Sequence, residues 1–249
     1  MPEGDAIRRN ALALAPLLVD RTLVAVYQRG LPVERLAGAR VVSIEARGKH
    51  LLIATDRDLV AHVHLGMNGG WRKARAPVET WRLERADLAL VTDEHVFVCR
   101  ARTVELVRAP FVKSHPALAA LGPDLLGETV DIDAVVARAR RGDPAQPVAD
   151  LLLDQDVAAG IGNIWKNETL FREKVHPGTP VGKLDDDALR RLYGRARELL
   201  QSGVAGGGRL YVYRRAGHAC HACGSAIASE MTMPLARATY FCPRCQPSL

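Results

Sequence analysis

The sequence predicts an α+β chain of several domains, in which a helix and a β-rich half precede a helical domain and a small cysteine-bearing β-hairpin. Three observations predict it: short β-branched runs fill the first half, helical patterns dominate after Pro110, and four of the five cysteines lie within the last thirty residues. With 249 residues, 48% of them hydrophobic, the chain can bury a sizeable core. Disorder as the main state is excluded.

The first half combines one helix signal with six strand signals. Apolar residues follow an acidic start over residues 6–18, which predicts a helix. A glycine-rich stretch around Met67 predicts a loop, and Cys99 is expected to be buried in a strand. Residues 1–112 are therefore predicted to form a helix plus a two-sheet β-sandwich. The strand signals occupy residues 23–27, 41–44, 51–54, 59–63, 88–91 and 96–98.

The second half changes in character after a proline-containing linker, predicted at residues 113–127. A helical domain is predicted at 128–208, ending in a run of glycines, and a cysteine-bearing domain at 209–249. The predicted helices cover 133–141, 148–155, 164–173 and 185–201.

Charge favours an anionic partner. The chain has 34 Lys and Arg against 28 Asp and Glu, a formal net charge of +6. Arginine supplies 28 of the 34 cations, and its guanidinium fork matches phosphate better than an ammonium does. No apolar run approaches the roughly 20 residues that a membrane span needs, and the acidic start does not resemble a secretion signal. An intracellular protein without a membrane role is expected.

The clustered cysteines predict a metal site. Two Cys-x2-Cys pairs, separated by eighteen residues, have the spacing of a four-cysteine zinc site in which a hairpin joins the two pairs. Four thiolates fill a tetrahedral shell, so one structural Zn²⁺ is expected rather than a catalytic ion. His218 and His221 lie near enough to compete as ligands but are expected to be bystanders. The predicted ligands are Cys220, Cys223, Cys242 and Cys245.

A glycine turn between two predicted helices could bind an anion. In the segment 158–163, Asn163 is predicted to cap the following helix, and Gly162 lets the backbone approach a ligand closely. An ordinary turn between helices is an equally good interpretation of this segment alone. Similarly, Arg237 between the cysteine pairs could grip a phosphate or be a solvated surface residue.

The N-terminus could carry a nucleophile. Initiator methionine is normally removed before proline, which would leave Pro2 with a free secondary amine. An α-amine has a reference pKa near 8 and can attack an aldehyde carbon when neutral. Glu3 beside it could transfer protons. Taken alone, a proline followed by a glutamate carries no functional meaning.

Five motifs in chain order together resemble the bacterial formamidopyrimidine-DNA glycosylase and endonuclease VIII family, over nearly the whole chain. The motifs resemble, in turn, the family's catalytic terminus, its catalytic-lysine hairpin, its intercalation loop, its helix-two-turns-helix element and its zinc finger. They lie at residues 1–5, 47–50, 64–67, 152–163 and 211–246.

The resemblance implies a bifunctional DNA glycosylase and abasic-site lyase. Pro2 would displace the damaged base and form a Schiff base with the sugar, with Glu3 as proton donor. Strand cleavage would follow by β- and δ-elimination, in which Lys49 contacts phosphate and donates a proton and Arg237 serves the second step.

The resemblance also implies how DNA is held. Asn163 and Gly162 would bind a phosphate near the lesion, and Met67 would fill the gap left by the extruded nucleotide. The partner would be double-stranded DNA with oxidised bases or abasic sites. A monomer in the bacterial cytoplasm is expected.

Lesion choice follows less directly from the motifs. The start Pro-Glu-Gly-Asp resembles the endonuclease VIII branch, and no Arg-Arg-Phe-Gly segment of the purine-specific branch occurs. The triplet 66–68 nevertheless resembles the purine branch. The resemblance favours oxidised pyrimidines as the expected substrates. Two alternatives remain at this stage: a non-catalytic protein that binds damaged DNA, and a family member that acts on bulky lesions or crosslinks.

Overall fold

The computed structural model describes residues 2–78, 83–232 and 237–248. The chain divides into two compact units, residues 1–119 and 120–249. The first unit begins with helix α1, Gly4–Leu18, which packs Ile7, Leu14 and Leu18 into the core. Within the described residues, no helix is long and apolar enough to cross a membrane.

Two antiparallel sheets complete the first unit, as the sequence predicts. The strands are β1 Ala25–Gln28, β2 Leu31–Pro32, β3 Val41–Arg47, β4 His50–Thr55, β5 Leu59–His64, β6 Gly70–Arg75, β7 Leu88–Val91, β8 His95–Arg100 and β9 Thr103–Arg108. The five-stranded sheet has the order β2-β1-β7-β8-β6, and the four-stranded sheet has the order β3-β4-β5-β9.

The core of the first unit follows from strand alternation. Leu51 and Ile53 on β4, with Ala61 and Val63 on β5, point to the core shared with α1. Cys99 on β8 is fully buried, as predicted, and burial raises the pKa of its thiol to about 12.

The second unit is mainly helical, preceded by the short helix α2, Pro116–Ala119, which ends the first unit and lies within the predicted linker. Asp131 and Asp185 cap two of the helices, each accepting a hydrogen bond from a backbone N–H three residues on. The helices are α3 Ile132–Ala139, α4 Val148–Leu151, α5 Asn163–Arg172 and α6 Asp186–Val204.

Two sequence predictions for this unit need correction. The predicted helix 148–155 ends at Leu151, and a loop follows in which the Gln155 amide donates to the carbonyl of Ile161. Asn163 is the first helical residue rather than the cap, because Gly162 takes the extended cap conformation and no side chain caps the helix. The Asn163 side chain is instead engaged with the distant strand described below.

The chain ends in a hairpin of β10, Ala228–Thr232, and β11, Arg237–Phe241, which pair in an antiparallel register. Phe171, Val212 and Ile227 pack with the cysteines in a small core beneath it. The helix, two sheets, helical unit and cysteine-bearing hairpin confirm the predicted fold class.

Candidate active site

Glu3 is buried at the start of α1. Glu3 is only 2% exposed, whereas the neighbouring Pro2 is partly exposed. The Glu3 carbonyl accepts a hydrogen bond from the N–H of Ile7 at 3.0 Å, so the helix begins directly after it. A carboxyl group is thereby held next to the residue that would carry the terminal amine; Met1 lies outside the described residues.

Lys49 stands at the tip of a two-residue hairpin. Arg47 on β3 pairs with His50 on β4, and Gly48 has a φ of +56°, a left-handed conformation that such a tight turn needs and glycine adopts without strain. Lys49 is partly exposed at this turn. The hairpin therefore presents a cation in a fixed position on the first unit.

Two histidines lie beside Lys49. Burial, with the neighbouring imidazoles and Lys49, lowers the pKa of His50 to about 3. Burial also lowers the pKa of His64, and the charge of Lys49 is the next largest cause. Both imidazoles are therefore neutral near pH 7, and the positive charge beside them comes from Lys49 and, next to His64, from Arg102.

Met67 lies on a loop whose shape depends on glycine. The loop joins β5 and β6, and Met67 is 60% exposed. A Cβ at Gly66 would lie 2.7 Å from the Arg102 side chain, and one at Gly69 would lie 2.2 Å from the Leu65 carbonyl oxygen. The loop must therefore keep its glycines to hold an exposed apolar side chain at its tip.

Helix α5 binds strand β11 through three polar side chains. The Asn163 amide donates to the Ala238 carbonyl at 2.9 Å, and the Lys166 ammonium donates to the Thr239 hydroxyl at 2.7 Å. The Asn167 amide oxygen accepts from the N–H of Tyr240 at 2.9 Å. These bonds fix Asn163 relative to the strand that begins at Arg237.

Glu168 adds a second connection from α5. Its carboxylate is 1% exposed and accepts three backbone hydrogen bonds, from the N–H groups of Tyr211, Val212 and Tyr213, at 2.8–3.0 Å. Sequence reasoning did not single out Lys166, Asn167 or Glu168. No local signal marks them, because Lys-Asn-Glu-Thr at four consecutive helical positions predicts a solvated stretch, whereas all four residues are buried in the structure.

The four cysteines converge as predicted. Their sulfur atoms all lie within 4.8 Å of one another, with Cys220 and Cys245 sulfurs 3.9 Å apart and those of Cys223 and Cys242 3.4 Å apart. Four ligands at the zinc–sulfur distance of about 2.3 Å in a tetrahedron lie about 3.8 Å apart. The donor set and spacing thus fit a structural metal site. His218 and His221 are exposed and are not part of this group.

Backbone N–H groups support this cluster. The N–H of Ala222 donates to the sulfur of Cys220 at 3.4 Å, and that of Cys245 donates to Cys242 at 3.5 Å. Such donors stabilise negative charge on sulfur, which is the form that binds metal. Arg237 is partly exposed at the first position of β11, opposite Thr232.

Comparison with known proteins identifies the class of protein, the DNA glycosylases that also act as abasic-site lyases. The sequence model for the formamidopyrimidine-DNA glycosylase N-terminal domain matches residues 1–107, and that for the H2TH domain of the same enzymes matches residues 121–213. The chain belongs to the formamidopyrimidine-DNA glycosylase and endonuclease VIII family.

Individual relatives agree over the full length. The chain is 36% identical to endonuclease 8 2 of Mycobacterium bovis, covering 99% of this chain and 100% of that protein. It is also 36% identical to the DNA-(apurinic or apyrimidinic site) lyase Nei2 of Mycolicibacterium smegmatis, covering 99% of each.

Solved structures share the fold. The formamidopyrimidine-DNA glycosylase of Lactococcus lactis superposes with a TM-score of 0.87 at 25% identity, covering 99% of this chain and 100% of that one. It has been solved with DNA containing an abasic site and with DNA containing an oxidised pyrimidine.

Proposed function

We propose that the protein removes oxidised bases from DNA and then cleaves the strand, using an amine at Pro2 as nucleophile. The observation that carries the proposal is the buried Glu3 carboxyl held beside Pro2 at the start of α1. The proline nitrogen attacks C1′, and Glu3 donates a proton to the sugar ring oxygen or to the base as the base leaves. The ring-opened sugar then forms a cationic Schiff base with the proline nitrogen.

Strand cleavage proceeds from that cation. The Schiff base acidifies the proton at C2′; its removal expels the 3′ phosphate in β-elimination, and a second elimination expels the 5′ phosphate. Lys49 on its hairpin contacts a phosphate and donates a proton in the first elimination, and Arg237 serves the second.

Contacts to DNA are proposed within each unit separately. In the second unit, the Asn163 amide and the backbone at Gly162 bind a phosphate beside the lesion, because the start of α5 presents N–H groups that favour an anion. The exposed Met67 enters the stack where the damaged nucleotide is extruded. The four cysteines hold one structural Zn²⁺ that keeps Arg237 in place. We propose three functional domains: a catalytic domain at residues 1–112, a helical DNA-binding domain at 128–208 and a zinc-finger domain at 209–249. A linker at 113–127 joins the first two.

Oxidised pyrimidines are the proposed lesions. Support comes from the Pro-Glu-Gly-Asp start and from the relative named endonuclease 8 2. The Lactococcus lactis protein has also been solved with DNA containing an oxidised pyrimidine.

The test is borohydride trapping on an abasic-site duplex, with protein shown by mass spectrometry to begin at Pro2. Wild type and the matched control Glu34→Gln, an exposed glutamate of the same unit, should both give a covalent adduct. Pro2→Gly should weaken trapping greatly. Glu3→Gln should slow base release by about 10²–10⁴-fold, the usual contribution of a positioned acid, while it still traps on abasic DNA.

If protein that begins at Pro2 forms no adduct, the proposed lyase activity is refuted. The alternative of a non-catalytic protein that binds damaged DNA would then be favoured. Lesion choice is tested on matched duplexes carrying an oxidised pyrimidine, an oxidised guanine or a bulky adduct. Faster release of oxidised guanine or of the bulky adduct would contradict the pyrimidine preference.

A further inference from the structure

A second group of metal-ligating side chains lies in the first unit, apart from the cysteines. His62 is on β5 and pairs directly with Glu105 on the neighbouring strand β9. Both point to the face of the four-stranded sheet opposite the core, because the adjacent residues Ala61, Val63 and Val104 are core residues. His115, from the segment just before α2, reaches the same place.

Three ligand atoms converge there. The Glu105 Oε2 atom lies 3.0 Å from Nδ1 of His62 and 3.1 Å from Nε2 of His115, and all three atoms lie within 4.8 Å of one another. Ligands of a tetrahedral zinc ion with bonds of about 2.0–2.1 Å lie about 3.3 Å apart. The two separations from Glu105 Oε2 therefore differ from that spacing by a few tenths of an ångström, and the three ligand atoms lie close enough together to surround one ion.

A third imidazole, that of His50, orients the site. Nε2 of His62 lies 2.8 Å from Nδ1 of His50. When Nδ1 of His62 binds an ion, Nε2 carries the proton and donates it to His50, which fixes both the tautomer and the ring plane. This arrangement of a ligating histidine that donates to a neighbouring acceptor is usual in metal sites.

We propose that His62, Glu105 and His115 bind a divalent transition-metal ion, Zn²⁺ in the first instance. Two neutral imidazoles and one carboxylate are the ligand chemistry that Zn²⁺ accepts, whereas Mg²⁺ and Ca²⁺ prefer oxygen alone. Unlike the four-cysteine cluster, the site is open: His62 is 2% exposed, but the Glu105 side chain is 46% exposed, so water can complete the shell.

The site joins parts of the fold that are distant in sequence. Glu105 and His62 tie β9 to β5, and His115 ties to them the segment that follows β9. His50 next to the ion is the residue that follows Lys49. Binding would therefore stabilise the end of the first unit and place positive charge near the lysine hairpin.

The test counts ions on the full-length protein. Wild type, Glu105→Gln, His115→Ala and the control His95→Ala, a histidine on β8 outside the group, are dialysed against a weak chelator and titrated with Co²⁺. Wild type and His95→Ala should bind one more ion per chain than the other two variants. That ion should lack the thiolate-to-cobalt absorption expected of a cysteine site, so the outcome is separable from occupancy of the cysteines.

Thermal unfolding supplies a second measurement. Zn²⁺ added to protein whose cysteine site is already filled should raise the Tm of wild type and of His95→Ala, but not that of Glu105→Gln. His50→Gln should weaken binding by about 10–100-fold, the effect expected for a residue that supports a ligand. Equal ion counts in all four proteins, or an extra ion that shows thiolate absorption, would overturn the proposal.

Discussion

The Glu168 carboxylate is the clearest single-residue support of the second unit. Glu168 is only 1% exposed, and its carboxylate accepts three backbone hydrogen bonds. These N–H donors take the place of the water that would solvate an exposed carboxylate. In Glu168→Gln the amide NH₂ would face one of these donors and the charge would be lost. We expect a loss of about 1–3 kcal/mol in the free energy of unfolding, measured by denaturant titration.

Glu198→Gln is the matched control, since Glu198 lies on the exposed side of α6 and pairs with Arg195 with 62% of its side chain exposed. It should change stability by less than about 0.5 kcal/mol. Equal effects of the two substitutions would show that the three backbone bonds contribute nothing beyond an ordinary surface charge.

At this scale, residues whose chemistry shows in local spacing could be predicted from the sequence. Two Cys-x2-Cys pairs predict the site formed by the four cysteines, and the apolar strand around Cys99 predicts its burial. Lys166 and Glu168 could not be found this way, because their partners lie 73 and 43–45 residues further along the chain. Only tertiary contact reveals why a helix buries charged residues.

Among the elements, the hairpin of β10 and β11 is expected to depend most on the proposed zinc ion. Its small core, with Phe171, Val212 and Ile227, is far below what folds unaided, so an ion held by the four cysteines would supply much of the folding free energy. We expect a strong chelator to raise hydrogen exchange of residues 228–232 and 237–241 towards unfolded rates. Strands β7 and β8, which carry no ligand of either proposed metal site, should keep their protection, as measured by mass spectrometry.

Cys242→Ser should reproduce the effect of the chelator without any reagent, whereas Cys99→Ala should leave the exchange of the hairpin unchanged. Full protection of the hairpin after verified zinc removal would mean that the hydrogen bonds from α5 suffice to hold it.

Elements were predictable where apolar patterns are regular. The sequence predicts β4, β5, β7 and β8, whose runs are rich in Leu, Val and Ile. It misses β6 and β9, because Arg72, Lys73, Glu105 and Arg108 interrupt the apolar pattern. These strands exist because they pair along their whole length with β8 and β5, which local propensity does not encode.

Among the described residues, the two largest cores are one around α1 and the two sheets and one among the helices. The sequence predicts the change from strands to helices, but not that helix α2 lies within the predicted linker, since its four residues are too few to carry a periodic signal. Each core is formed entirely from residues of its own unit.

Because each unit has its own core, we expect fragments 1–119 and 120–249 to fold separately. Each fragment should show a cooperative thermal transition and well-dispersed amide resonances. In the second fragment, chelation of the proposed zinc ion should reduce the dispersion of the resonances from the cysteine-bearing hairpin. Fragment 1–94 is the control: it lacks β8, which lies between β7 and β6, and β9, which closes the other sheet, so it should not fold. If fragment 1–119 were as disordered as fragment 1–94 while the full chain is folded, the first core would depend on the second unit, and the division at residue 119 would not describe independent folding units.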